Sequence, residues 1–484
     1  MTIKIGKADI AWGYFGQILY MGINIIMLPF VLKLLSEKEL GLWYTFTSIG
    51  ALANLLDFGF KTTITRNVAY AWGGANELPQ IDENVIVMAD EPNFRLLISI
   101  KRTAEFLYFI IGMISLVLLS TLGSWYVINI SRNEVAYNDF LLAWIIYIIA
   151  IFFNIYLGYW MPLLKGIGAI KENYQAMAIS KVIHLLIAII GLLLGLKLVA
   201  IAIAYLVSSL SIQVLSSSLF NNYEDIKINQ DALNKVAVKL PELKATFRVM
   251  WPNAYRQGLM SLSNYLADKS AILVCSRFYG LTASAKLGLT MQLLSVVSTI
   301  GNVLFNSLMP YIIQLKMKQF KKKAYEIITI SIGVQSTIIL VGGIVITFFA
   351  NPLLRLIKSN SFALPVPECI ILMIFTYFFS YQQICCSYII AGNKMPMYKS
   401  YIITGVITIF VEIGLTYLFK PYLGIMTILL PQLLTQLAYN AWHWPTYVSR
   451  EHGKSLIDLH LDSIKNLRKI KNKAIFKQDG KSTQ

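Results

Sequence analysis

Apolar residues in this chain occur in runs of about 20, as at 96–130 and 141–164. A run of that length matches the hydrocarbon thickness of a bilayer when it forms a helix that rises about 1.5 Å per residue. Strands of an outer-membrane barrel would instead alternate apolar and polar positions over segments of about ten residues. The chain shows no such alternation. The pattern therefore predicts an all-α membrane protein with about twelve transmembrane helices.

The spans follow from the positions of these runs. Hydropathy places them near 9–32, 41–60, 103–128, 140–163, 175–195, 198–219, 249–275, 285–314, 325–350, 366–390, 400–419 and 423–447. The first run is too long for the apolar core of a cleavable signal peptide, so it is interpreted as the first span.

A polar stretch at 221–248 divides the spans into two sets of six. We expect a six-helix lobe at 1–220, a cytoplasmic linker at 221–248, a second six-helix lobe at 249–448 and a basic amphipathic cytoplasmic tail at 449–484. A short internal repeat supports the halving, because Glu39–Leu42 opens the second span as Lys286–Leu289 opens the eighth. Duplicated lobes that meet at a central cavity are typical of transporters.

Composition and charge are consistent with this class. Of the 484 residues, 56% are hydrophobic and 14% are charged, whereas soluble domains carry roughly 25% charged residues. The net charge of +17 resides mostly in loops on the side of both termini, as in the run of lysines around Lys321. This asymmetry predicts cytoplasmic termini in the cell inner membrane. It favours anionic headgroups over nucleic acid as the partner of the basic residues.

Motifs for catalysis or metal binding are absent from the sequence. It contains no H-E-x-x-H, no G-x-S-x-G, no phosphate-binding G-x-x-x-x-G-K-[ST] and no D-x-D pair. The four cysteines lie in or beside apolar segments without metal-ligand spacing. We therefore expect a transporter rather than an enzyme, without a cofactor.

Polar side chains recur on one face of the seventh span. Its members, at spacings of four, three and four residues, are Gln257, Ser261, Asn264 and Asp268. Arg256 lies beside this face, and Lys269 follows it. Lipid cannot solvate such a stripe, so it lines a wet cavity or contacts another helix. The sequence leaves both alternatives open.

Two carboxylates lie within apolar spans, where charges are costly and mark pathways, partners or structural pairs. Asp57 ends the second span, in a helix expected to continue past Gly59. It is interpreted either as an ion-coupling group or as the partner of Lys61 at i+4. Glu412 in the eleventh span has no obvious local partner, so protonation linked to transport is one interpretation of it. Asp268 is the third candidate for ion coupling.

Residues 55–71 read LLDFGFKTTITRNVAYA, followed by a turn at 73–78. This stretch resembles the end of the second helix in bacterial O-antigen-unit flippases, the Wzx-like polysaccharide exporters of the multidrug/oligosaccharidyl-lipid/polysaccharide superfamily. Span count, halving and loop lengths extend the resemblance over nearly the whole chain. The acidic insertion at 73–95 is absent from the shortest family members. The family's geometry at the cytoplasmic entrance is therefore not carried over to this chain.

The resemblance implies two six-helix lobes that open alternately to the cytoplasm and the periplasm. Their implied substrate is an undecaprenyl-diphosphate-linked oligosaccharide for surface polysaccharide such as the O-antigen of lipopolysaccharide. The acidic residue of the family motif falls on Asp57, and its arginine falls on Arg66. A polysaccharide polymerase and chain-length machinery are the implied protein partners. The expected cavity residues are Lys61, Arg66, Arg256, Gln257, Asn264 and Lys269.

Two other functions remain open. A cation-coupled multidrug exporter of the same superfamily would have an acidic or aromatic cavity, and Arg256 and Lys269 argue against it. A membrane-embedded glycan polymerase would present a large outside loop, whereas the outside loops here are short.

Overall fold

The computed structural model describes residues 12, 22–23, 26–78, 91–132, 134–135, 137–229, 240–317, 320–392 and 395–472. The regular elements of these residues are helices. Eight of the helices are long and apolar enough to cross a membrane by length and composition. The protein is therefore a multi-pass, all-α membrane protein, as the hydropathy pattern predicts.

Besides the helical residues 26–34, the first half of the chain contains ten α-helices among the described residues. They are α1 (Glu37–Asn54), α2 (Phe60–Trp72), α3 (Phe94–Leu118), α4 (Ser124–Ser131), α5 (Tyr137–Tyr156), α6 (Trp160–Gly166), α7 (Ile170–Leu193), α8 (Lys197–Asn221), α9 (Glu224–Ile228) and α10 (Leu240–Asp268). Residues 26–34 are also helical, but most of the expected first span lies outside the described residues. So do residues 79–90 of the insertion and 230–239 of the expected linker.

The second half contains seven helices among the described residues. They are α11 (Ser270–Met317), α12 (Lys321–Leu356), α13 (Val366–Ile390), α14 (Tyr398–Leu423), α15 (Met426–Ala438), α16 (Asn440–Glu451) and α17 (Leu456–Asn472). Gly280 breaks α11 with a φ of 83°. The second to twelfth expected spans each coincide with one helix or with two consecutive helices.

The chain forms two compact units. The first comprises Met1–Tyr265, Gly280–Ala285 and Ile357–Ser361, and the second comprises Leu266–Tyr279, Lys286–Leu356 and Phe362–Gln484. Most of α10 thus belongs with the first unit, although the expected second lobe began at 249. The expected lobes and linker stay a prediction.

Contacts of α10 with α2 and α3 account for its place in the first unit. The hydroxyls of Ser99 and Thr246 lie 3.0 Å apart, and the rings of Phe60 and Phe247 stack with centroids 5.9 Å apart. These contacts join residues 147 and 187 positions apart in the chain, so hydropathy alone could not have placed α10.

The core of the first unit is built from aromatic side chains on α1 and α5. The ring centroids of Phe46 and Trp144 are 4.8 Å apart, and those of Trp43 and Tyr147 are 5.6 Å apart. Glycine permits this approach, because a Cβ on Gly50 would lie 2.1 Å from the Tyr147 hydroxyl. Aromatic pairs of this kind contribute about 0.5–1.5 kcal/mol beyond their buried area.

The tail helix α17 packs along α12. Tyr325 donates a hydrogen bond to Asp462 at 3.2 Å, and Asn466 donates one to Thr329 at 2.9 Å. A Cβ on Gly333 would lie 2.7 Å from the side chain of Leu467. The amphipathic helix expected in the tail therefore forms, and one of its faces packs against α12 within the second unit.

The opposite face of α17 carries exposed apolar side chains at spacings of four and three residues. They are Ile457, Leu461 and Ile464. Such a row, flanked by lysines, suits a helix that lies in a membrane surface. Residues 473–484 of the tail lie outside the described residues.

Candidate functional site

The helix of the second span breaks at Asp57. Leu55–Asp57 form a single 3-10 turn, and Phe58 and Gly59 follow in the left-handed region with φ of 44° and 74°. Left-handed residues cannot continue a right-handed helix, so α2 starts anew at Phe60. The expectation of one continuous helix past Gly59 was wrong.

Asp57 has two hydrogen-bond donors at this break. The hydroxyl of Tyr108, a fully buried residue of α3, donates to Oδ1. The backbone N–H of Lys61 donates to Oδ2 at 3.4 Å. The carboxylate thus lies at the N-terminus of α2, where the helix dipole favours a negative charge.

The expected side-chain ion pair between Asp57 and Lys61 does not form among the described residues. That pair required a continuous helix, and the break at Phe58 and Gly59 removes its i to i+4 geometry. The sequence carried no signal for Tyr108 as the partner, because an aromatic residue in an apolar span is ordinarily a packing residue.

Two glycines let α10 approach the break. A Cβ on Gly59 would lie 2.5 Å from Cβ and Cγ of Gln257, and one on Gly258 would lie 2.4 Å from Cδ1 of Phe58. This contact brings Gln257 to the turn between Asp57 and Lys61. The structure therefore brings Gln257 close to Asp57 and Lys61, which precede it by about 200 positions in the chain. The sequence singled out all three residues.

The remaining candidates of the first unit lie on α2 and α10. Arg256 precedes Gln257, is half-buried and packs its guanidinium 5.9 Å from the ring centroid of Tyr255. Asn264 is half-buried two turns further along α10, and Arg66 is exposed on α2. Arg66 is thus the one expected cavity residue of this unit that the surrounding helices leave exposed.

Asp268 and Lys269 belong to the second unit. The Lys269 Nζ lies 3.1 Å from the Asp268 Oδ2, and Gln432 donates a hydrogen bond to the backbone oxygen of Asp268 at 3.1 Å. Two of the expected site residues therefore pair with each other. The expected roles of Lys269 in lining a cavity and of Asp268 in ion coupling stay predictions.

Glu412 is completely buried on α14. In the part of the chain that the structure describes, neither of its carboxylate oxygens has a hydrogen-bond partner. A carboxylate ion in such a position costs several kcal/mol, so the side chain requires a proton or a bound cation.

Threonines flank Glu412 on the same face of α14 and bond to α15 and α16. The hydroxyls of Thr408 and Thr435 lie 2.6 Å apart, and those of Thr416 and Thr427 lie 2.9 Å apart. Thr404 accepts a hydrogen bond from Asn440 at 2.9 Å. We call these four residues of α14 the Glu412 seam: Thr404, Thr408, Glu412 and Thr416. Their spacing of four was visible in the sequence, although the hydropathy reading passed over it.

The register of the seam places Pro431 at the level of Glu412. Thr427 and Thr435, which bond to the seam on either side, lie four residues before and after Pro431. Proline has no N–H to donate to the carbonyl oxygen of Thr427. The carbonyl oxygen of Thr427 therefore lacks its usual helical donor near this level of the helix pair.

Metal-ligating side chains do not cluster within the described residues, where no group of three or more His, Cys, Asp or Glu occurs. The four cysteines are buried free thiols. A cavity of about 350 Å³ near the start of α3 is lined by residues that include Arg102 and Glu105 and by none of the candidate site residues.

No family model matches the chain, and no curated protein matches it. Several solved structures, however, match the chain over nearly its whole length. An inward-facing multidrug-resistance transporter of the MATE family, in the MOP superfamily, superposes with a TM-score of 0.60 at 16% identity, over 95% of this chain and 96% of that one. The MATE multidrug transporter DinF-BH in complex with R6G gives 0.59 at 13% identity, over 94% and 98%.

The lipid II flippase MurJ, in an inward closed conformation, gives a TM-score of 0.56 at 12% identity, over 96% of this chain and 92% of that one. The chain has the fold of MOP-superfamily transporters. This likeness covers nearly the whole chain and confirms the membrane fold expected from its spans. The narrower resemblance to O-antigen-unit flippases stays a prediction.

Proposed function

We propose that this protein moves a lipid-linked oligosaccharide, carried on undecaprenyl diphosphate, across the inner membrane for surface polysaccharide biosynthesis. Transport proceeds by alternating access and is coupled to an ion. The fold is shared with a lipid II flippase as well as with multidrug transporters, so the substrate has to be argued from the residues.

The observation that carries the proposal is the charge at the break between α1 and α2. Asp57 already accepts hydrogen bonds from Tyr108 and from the N-terminus of α2. Lys61 and Arg256 are half-buried cations on the two helices that meet at this break. Lys61 and Arg256 bring positive charge to this break, which suits an anionic ligand. A diphosphate suits the arginine best, because guanidinium binds phosphate oxygens bidentately.

The second candidate is a multidrug exporter. It is favoured by aromatic rings beside the same break, where the centroids of Phe58 and Trp251 are 6.5 Å apart and those of Trp251 and Tyr255 are 6.3 Å apart. Such rings bind flat organic cations. A membrane-embedded glycan polymerase has no comparable support in the described residues.

Ion coupling is attributed to Glu412. Its buried carboxylate lacks a hydrogen-bond partner among the described residues, and Pro431 leaves a carbonyl oxygen without its helical donor at the same level. A carboxylate that gains and loses a proton or cation here would change the packing of α14 against α15. Asp57 and Asp268 are weaker candidates, since each already has partners.

The test of the substrate compares arginine variants in knockout cells that carry the gene on a plasmid. Arg256→Ala removes a charge-assisted contact of about 1.5–3 kcal/mol, so export should fall roughly tenfold to a hundredfold. Arg256→Lys should lose part of this export, because lysine lacks the planar fork of donors that arginine offers to phosphate. Arg248→Ala, at an exposed position of the same helix, is the matched control and should export normally.

Surface glycan and membrane protein abundance are measured together. Normal glycan from Arg256→Ala at normal abundance would eliminate the diphosphate role. Glycan loss that only tracks protein loss would favour a structural ion pair of Arg256. In proteoliposomes, transport of a cationic dye but not of a lipid-diphosphate oligosaccharide would support the multidrug exporter instead.

The test of coupling is Glu412→Gln, which keeps the shape of the side chain and removes its titration. Gradient-driven transport should be abolished while folded protein remains at its normal level. Glu326→Gln, at an exposed position of α12, is the matched control. Full transport by Glu412→Gln would remove Glu412 as the coupling group.

A further inference from the structure

A cavity of about 680 Å³ lies in the second unit, where α11 and α13 end, α12 begins and α16 ends. Its lining combines three cations, Lys316, Lys321 and Arg450, with aromatic side chains that include Trp442 and Tyr447. None of the residues to which we attribute substrate binding or ion coupling lines it.

Lys316 is held rigidly in the wall of this cavity. Its Nζ donates a hydrogen bond to the backbone oxygen of Tyr388 at 2.9 Å, lies 3.6 Å from the centroid of the Tyr388 ring and lies 3.5 Å from a carboxylate oxygen of Glu451. The ammonium group is therefore fixed in position before any ligand arrives.

The cavity carries an excess of positive charge. Glu451 is the one acidic residue in its lining, against three cations. Within the described residues, Lys321 and Arg450 have no carboxylate partner. Both side chains are exposed, and so their donors are available to a ligand.

The charges of Lys316, Lys321 and Glu451 in the lining act on the next residue of the chain, His452. Its Nε2 lies 2.9 Å from the hydroxyl of Tyr388. Burial lowers the pKa of His452, and the charges of Lys316, Lys321 and Lys454 lower it further, against the opposing effect of Glu451. Lys316 and Lys321 of the lining thus act on the same point from α11 and α12, together with Lys454 and against Glu451.

We propose that this cavity binds the phosphate group of an anionic ligand at the membrane surface. Arginine and lysine together supply the planar fork and the point charges that phosphate oxygens accept. Trp442 and Tyr447 are side chains of the kind that collects at the headgroup level of a bilayer. The volume lies in the range of cavities that enclose organic ligands, about 300–1,000 Å³, so the phosphate is expected to carry an organic group.

Two sources could supply this chemistry, a phospholipid headgroup or a soluble organic phosphate. The alternative without a ligand is that the cations only hold α11, α13 and α16 together. Lys316 fits that structural role through its bonds to Tyr388 and Glu451, but Lys321 and Arg450 do not. The variants for the test are therefore made at Lys321 and Arg450.

The experiment uses the full-length protein in nanodiscs. The first arm measures retention of phosphatidic acid by native mass spectrometry, in discs of phosphatidylcholine with added phosphatidic acid. The second arm measures binding of inorganic pyrophosphate by calorimetry, in discs of phosphatidylcholine alone. The double variant Lys321→Gln/Arg450→Gln is compared with Lys322→Gln/Lys323→Gln. The control removes the same charge beside the cavity without touching its lining.

Binding in at least one arm should weaken by about tenfold or more in the cavity variant and stay unchanged in the control. Loss confined to the first arm identifies a lipid headgroup, and loss in the second arm identifies a soluble phosphate. Equal binding by both double variants in both arms would overturn the proposal, as would the absence of binding by the unmodified protein. Arg256→Ala should bind normally here, which separates this site from the proposed transport function.

Discussion

Replacing Gly59 by alanine tests the contact that builds the candidate site. Gly59 has a φ of 74°, a conformation that costs an L-residue about 1–2 kcal/mol. The new Cβ would also lie 2.5 Å from Cβ and Cγ of Gln257 and 3.3 Å from the backbone oxygen of Ala254. Overpacking of this kind costs typically about 1–3 kcal/mol. We expect Gly59→Ala to lower the free energy of unfolding by about 2–5 kcal/mol.

Gly195 provides the matched control, because it shares the left-handed conformation without the contact. Its φ is 81°, and a Cβ there would meet nothing within 4 Å. Gly195→Ala should therefore cost about 1–2 kcal/mol. The two variants should therefore differ by about 1–3 kcal/mol in their free energy of unfolding. This corresponds to roughly fivefold to more than a hundredfold in the ratio of folded to unfolded protein.

The assay is thermal unfolding of the purified variants in detergent, with transport measured in parallel. Gly59→Ala should have the lower Tm of the two variants. Combining it with Gln257→Gly should recover the contact part of the loss, although glycine in the helix costs about 1 kcal/mol of its own. If Gly59→Ala is no less stable than Gly195→Ala, the close packing of α10 against this turn does not contribute to stability, and the prediction is wrong.

Three further predictions concern the hydrogen bond to Asp57, the pH dependence of stability and the membrane topology. Tyr108→Phe removes a donor from Asp57 and should destabilise the protein by about 1–3 kcal/mol; an unchanged Tm in detergent would contradict it. Burial lowers the pKa of both His452 and His460, so the unfolded state binds more protons below about pH 6.5 and stability should fall on acidification. His452→Gln/His460→Gln should flatten that profile of Tm against pH, and an identical profile would refute the assignment. Reporter fusions should give an outside signal at Asn360 and an inside signal at Gln484, and the reverse at either position would contradict the twelve-span topology.

The sequence alone determined the class of protein and the position of its helices. Each expected span from the second to the twelfth appears as a helix or a consecutive pair, because the bilayer acts on each apolar segment independently of the others. Sequence reasoning also singled out Asp57 and Glu412, since a carboxylate in an apolar run demands an explanation wherever the helix packs.

Tertiary structure decided the partners of these groups. Tyr108 bonds to Asp57 across 51 residues, and the hydroxyls around Glu412 bond to α15 and α16. The break at Phe58 and Gly59 and the contact of Gly59 with Gln257 depend on how α10 packs against the turn. Side-chain pairing and backbone approach are properties of two packed helices at once, whereas hydropathy is a property of one, so only the folded chain could supply them.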